Sequence, residues 1–122
     1  MDNKQSALQF MELVTAGKID EAYQKYVSMD GKHHNAFFPA GFPALRDAMK
    51  ENHIQFPVKI FTPKNVLADG DLVAVHSHLV LKAGEPGIIT VHIFRFQDGK
   101  IIELWDCSQA IPADLPNTDG VF

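Results

Sequence analysis

The chain has 122 residues, which suits one domain, 1–122, large enough to bury a real core. Apolar residues make up 46% and charged residues 21%, an ordinary balance for a globular chain. A net charge of −4 without any Lys/Arg cluster excludes a nucleic-acid surface, and no apolar run is long enough to span a bilayer, so neither nucleic acid nor membrane is expected as a partner.

The start, "MDNKQSALQF", lacks the apolar stretch of a signal peptide. Cys107 is the only cysteine, which rules out an intrachain disulfide and fits a reducing compartment. A cytoplasmic location is the expectation. Ala7, Phe10, Met11 and Val14 fall at i, i+3, i+4 and i+7 and predict a first helix, stopped near Gly17. Ile19, Ala22, Tyr23 and Tyr26 repeat the spacing and predict a short second helix. The Gly- and Pro-rich "SMDGKHHNAFFPAGFP" reads as loop. Phe42, Leu45 and Met49 mark a third helix, with Pro43 in its first turn, where a missing N–H costs nothing.

The second half reads as strand: residues 59–67, 72–82, 88–96 and 101–109, turned at Asp69-Gly70, "AGEPG" and Asp98-Gly99. The tail, "AIPADLPNTDGVF", is irregular but ends in Val121 and Phe122, so it is expected to dock. Helices followed by antiparallel strands predict an α+β domain with helices on one sheet face and a cavity between them.

In the last hairpin, His92 and Asp106 stand out among Val, Ile, Phe, Leu and Trp. A three-residue loop with Gly99 as a left-handed bulge residue pairs Phe96 with Lys100, His92 with Leu104 and Phe94 with Ile102. His92, Phe94, Leu104 and Asp106 then share one face, and Val91, Ile93, Arg95, Glu103 and Trp105 the other. A two-residue loop shifts the register by one and parts His92 from Asp106. His76 and His78 share a face of the preceding strand, and the loop adds His33, His34 and Asn35. Together these groups predict a polar cluster at one end of an apolar cavity walled by Phe37, Phe38, Phe42 and Phe56. Plainer roles stand beside this one. A strand histidine can simply bond a backbone carbonyl, and Asp106 can bond N–H groups at a strand end. His76-x-His78 points two rings one way, as zinc requires, but no Cys or Glu at ligand spacing joins them, so no metal is expected.

"DGDLVAVHSH", "VHIFRFQDGKIIELWDCSQAIP", "HHNAFFPAG" and "NTDGVF" resemble the SnoaL-like polyketide cyclase group of the NTF2-like superfamily, over nearly the whole chain. The resemblance implies a cone: three N-terminal helices on a strongly curved antiparallel β-sheet around a pocket, usually in homodimers joined through the outer sheet face. It implies cofactor-independent aldol cyclisation, with Asp106 as acid/base assisted by His92, and His34 and Asn35 orienting the substrate. His76, His78, Phe38, Phe42, Phe94 and Leu104 complete the expected substrate pocket. Leu104 stands where many relatives carry His, so one polar contact is lost. The same fold also serves isomerases, lyases and pure binding modules. The expected function is therefore acid/base chemistry on a small, largely apolar carbonyl compound, and the alternative is a non-catalytic, small-ligand-binding dimer module.

Overall fold

Asp2 starts the first helix by accepting the Gln5 N–H at 2.8 Å, while Gln5 Oε1 accepts the Asp2 N–H at 3.0 Å. This reciprocal cap satisfies two backbone donors that no helical turn can reach. The computed structural model describes residues 1–122. Its elements are α1 (Asn3–Thr15), α2 (Ile19–Tyr26), β1 (Val27–His33), α3 (Phe42–Gln55), β2 (Ile60–Asp69), β3 (Leu72–Val80), β4 (Ile88–Gln97) and β5 (Lys100–Ala110). The helices pack on one face of a five-stranded sheet of order β1-β5-β4-β3-β2.

Two expectations need correction. The segment read wholly as loop begins as β1, which runs parallel to β5 and pairs Val27 with Ile101 and His33 with Leu104. The sheet is therefore mixed, not antiparallel throughout, and it is open and not strongly curled. "VSMDGKH" has no two-residue alternation and contains Asp and Gly, so nothing local marks it as strand. What holds it is a partner some seventy residues away in sequence, as a parallel neighbour must be.

The core unites α1, α2 and α3 with the inner sheet face. Phe10 meets Tyr23 and Phe94 edge-on, at 5.3 and 5.8 Å between ring centres. Phe42 opens α3 and is fully buried against Tyr23 and His33. Gly31 lets β1 pass close over β5: a Cβ there would strike the Ile102 carbonyl and the Phe42 ring. The tail does not bury its end. Phe122 is 46% exposed and lies on the outer sheet face, over His76 and His78 and under the Lys64 ammonium.

Backbone is what Gly31 approaches, so a side chain there must displace a strand. Gly31→Ala is expected to cost roughly 1–3 kcal/mol, the usual penalty for overpacking, and to lower the urea midpoint accordingly. An unchanged midpoint would show that β1 can shift freely.

Candidate functional site

The β4–β5 hairpin sets the site. Asp98 and Gly99 both have positive φ, 51° and 78°, which makes a two-residue turn of the mirror-image type. Gln97 pairs with Lys100 and Phe96 with Ile101. The three-residue loop expected here is thus not what forms. Continued unchanged, this register would part His92 from Asp106. A bulge intervenes: the next pair is Arg95 with Glu103, so Ile102 has no partner. The extra residue restores the parity, and His92 lies directly opposite Asp106.

Both side chains face the helices. His92 Nε2 stands 4.0 Å from Asp106 Oδ2, inside ion-pair range but too far for a hydrogen bond. Asn35 fixes the carboxylate by donating from Nδ2 to both oxygens, at 2.9 and 3.1 Å. Asn35 is fixed in turn, since its Oδ1 accepts the Phe37 N–H at 2.9 Å. Its own N–H donates to His33 Nδ1 at 3.1 Å, and His33 Nε2 donates to the Pro39 carbonyl at 2.7 Å. The two bonds suit one tautomer of a buried imidazole. A chain of contacts thus runs from the loop backbone through His33 and Asn35 to Asp106.

Beneath this pair lies a cavity of about 100 Å³. Phe10 and Met11 from α1, Tyr23 from α2, Leu45 and Met49 from α3, and Leu104 wall it, with Asn35, His92 and Asp106 among its polar lining. Sequence reasoning missed Tyr23, reading it only as part of an apolar stripe. Burial first, and then the Asp106 charge, raises its pKa, with the Arg46 charge opposing, so the phenol stays protonated. A hydroxyl within a buried apolar stripe was the available signal, since a buried Tyr needs a partner for it.

Several expected site residues lie elsewhere. His34 follows β1, so alternation turns it to the outer face, where its ring stacks on Trp105 at 5.3 Å and Nε2 pairs with Glu103 at 2.7 Å. His76 and His78 are also on the outer face, because Val75 and Ser77 take the inner positions. His76 pairs with Asn65, and His78 bonds the Pro86 carbonyl at 2.8 Å, which is the plainer role for a strand histidine. Neither therefore converges with His92, and no cluster of three His, Cys, Asp or Glu able to hold a metal forms. The phenylalanine walls are also corrected. Phe42 is core, Phe38 packs at the core's edge, Phe37 is 90% exposed and Phe56 lies beside Lys82. Phe94 lies against His92, rings stacked at 6.1 Å, and supports that imidazole from the core. Of the expected set, His92, Asp106, Asn35 and Leu104 come together at the cavity.

Desolvation holds the His92 imidazole below its ordinary 6.5, and the Asp106 charge opposes part of that shift. Its Nδ1 is buried without a partner. A base whose folded pKa is lowered takes up its proton first in the unfolded chain. This contribution to stability is therefore whole above about pH 6.5 and is lost as the pH falls below it, by at most about 1.4 kcal/mol per unit, until the folded imidazole titrates. Denaturation of wild type and His92→Gln between pH 7 and 5 should show the steeper loss in wild type. Parallel curves would mean that His92 is not held neutral by burial.

The family model of the SnoaL-like domain matches residues 7–104. No curated protein matches in sequence. Among solved structures, wild-type IdmH, a candidate polyketide cyclase from Streptomyces antibioticus, is similar with a TM-score of 0.71 at 19% identity, over 88% of this chain and 92% of that one. AclR, a candidate hydroxylase from Streptomyces galilaeus, gives 0.72 at 19% identity, over 88% of each chain. An NTF2-like protein from Cytophaga hutchinsonii gives 0.72 at 11%, over 89% and 91%. At such identities these likenesses speak for the fold alone. The family match spans most of the chain and agrees with the three helices and five-stranded mixed sheet: this is an α+β chain of NTF2-like fold, and it belongs to the SnoaL-like domain family.

Proposed function

We propose that the protein is a cofactor-independent acid/base enzyme acting on a small, largely apolar, enolisable carbonyl compound. One observation carries the reading: Asp106, held by Asn35, lies across the sheet from His92 over an apolar cavity. Enolisation requires a base at the carbon next to the carbonyl and donors at the oxygen, where negative charge develops. Asp106 takes the proton. The bond from Asn35 leaves the carboxylate lone pairs to spare, since each oxygen accepts more than one bond. His92 Nε2 and the Tyr23 hydroxyl are the donors for the enolate oxygen. Both are neutral, so neither neutralises the base before substrate binds. Return of the proton from Asp106 to a different atom gives isomerisation, and attack of the enolate carbon on a second carbonyl, with the Asp106 proton then passing to the new alkoxide, gives an aldol product.

Proton exchange measures the first step alone. Small ketones in D₂O, followed by proton NMR, should lose their α-proton signals faster with the wild-type protein. Asp106→Asn keeps the shape and removes the base, so it should slow exchange by roughly 10²–10⁴-fold. Binding without exchange in the wild type would favour a ligand-binding module instead.

The same reading takes the outer face as the contact between two copies. Val91, Ile93 and Trp105 are only half-buried in the single chain. Arg95 is already held by Asp71, at 2.9 and 3.0 Å, and faces Trp105, so it enters such a contact with its charge compensated. A two-fold contact is self-complementary and covers the whole apolar stripe at once. Sedimentation at micromolar concentration should give a dimer, and Ile93→Asp a monomer. A wild-type monomer would count against the contact.

A further inference from the structure

The cavity has a floor and a rim. Phe10, Met11, Tyr23, Leu45 and Leu104 are buried and form the floor. Thr15, Asn52 and Lys59, with Val14, Met49 and Leu79, line the same cavity but are half-exposed, as are Asn35, His92 and Asp106, so the rim carries Lys59 as well as the acid/base pair. Lys59 is the one ammonium group among the lining residues. None of the chain's ion pairs includes it. Desolvation lowers its pKa with no compensating charge beside it. A lysine with no other duty extends into water. This one stands over an apolar cavity, where its charge is under-solvated, and a ligand anion would relieve that.

Position separates this charge from the acid/base pair. Lys59 precedes Ile60, which pairs with Val80, so it enters from the Leu79–Val80 end of the sheet. Asp106 lies opposite His92, which pairs with Val75. Four residues along β3 separate Val75 from Leu79, or roughly 13 Å. A ligand carboxylate at Lys59 is thus far from the Asp106 carboxylate, where like charges would repel. Size points the same way. At the ~25 Å³ per carbon that benzene takes in an apolar cavity, a volume of about 100 Å³ holds about four non-hydrogen atoms. Only the reacting end of a ligand fits on the floor, and its other end must lie at the rim.

We propose that the ligand is an oxo acid whose carbonyl and carboxylate are parted by several methylenes, its carbonyl end over the floor between Asp106 and His92 and its carboxylate at the mouth on Lys59, with the Asn52 side-chain amide beside it. This inference rests on the acid/base reading for the floor and adds a specificity residue at the rim.

The probes are 7-oxooctanoate, its methyl ester and 2-octanone, titrated by calorimetry and followed for α-proton exchange. The acid should bind about tenfold more tightly than the ester. Lys59→Met should abolish that preference without altering the melting temperature, and Lys59→Arg should keep it. Asp106→Asn should keep the preference and lose exchange. Equal binding of acid and ester by the wild type overturns the proposal, as does a preference that survives Lys59→Met or a failure of all three probes to bind. The two readings fail separately. Exchange that is as fast on the ester as on the acid, with equal affinities, removes the anchor and leaves Asp106 as the base. Binding of the acid through Lys59 without exchange leaves the anchor and removes the base.

Discussion

Ile102 has no partner across the β4–β5 hairpin, and the groups that meet at the cavity follow from that one unpaired residue. Side chains alternate strictly along a strand, so a hairpin's turn assigns every later residue to a face. The tight turn at Asp98-Gly99 sets Phe96 and Ile101 on the inner face, both buried. By alternation alone Glu103 and Trp105 would follow them inward, and Asp106 would face out. The bulge reverses this beyond Ile102: Leu104 and Asp106 turn in, and Glu103 and Trp105 turn out to meet Arg95 and His34. Glu103 there is held below the usual carboxylate range, chiefly by its bond to His34 and also by Lys32 and Arg95. A charged network thus gathers on the outer face, and the cavity keeps a single carboxylate.

The bulge is secured from the neighbouring strand. Its carbonyl at Ile102 lies under Gly31, where the β1–β5 register also slips between Val27 and Lys32. Past that slip β1 runs in step with β5, and His33 falls inward while His34 falls outward. The inward His33 then holds the Asn35 backbone and the Pro39 carbonyl, and Asn35 holds Asp106. Each polar atom in this series bonds another within the chain. A series that is fully paired adds rigidity, and losing Asn35 would leave the buried His33 and the half-buried Asp106 without these bonds. Asp106 is therefore aimed by loop backbone and not by its own strand alone.

What could be read from the sequence follows from what is local. The stripes of α1 and α2, the start of α3 at Pro43 and the four strands of the second half are set by spacing and by turn residues, and they form where the spacing puts them. The inward placement of both His92 and Asp106 also matched expectation, but by a different route: a two-residue turn plus a bulge has the same parity as a three-residue loop. "KIIELWD" marks no bulge, because Ile at the extra position carries no Gly or Pro signal. β1 was illegible because its partner is remote, and the misplacement of His34 followed from that. His76 and His78 misled for another reason. Polarity suggested a site, yet the inner position between them belongs to Ser77, whose hydroxyl meets that of Thr90 at 2.5 Å and so can be fully buried. Only pairing tells a buried serine from an exposed one.

Space is the last constraint. The cavity is small, about 100 Å³. Phe10, Met11, Leu45 and Leu104 wall it closely. Enlarging a well-packed cavity costs stability for every methylene removed, so the small floor is the stable arrangement of these residues and a large ligand would have to displace them. The placement of Asp106 and His92 is independent of that floor, because it is fixed from the sheet and by Asn35, just after β1. On the proposed reading, one fold can therefore keep its proton chemistry while side chains of the helices and Leu104 decide how much of a ligand enters, and a single lysine at the mouth decides which.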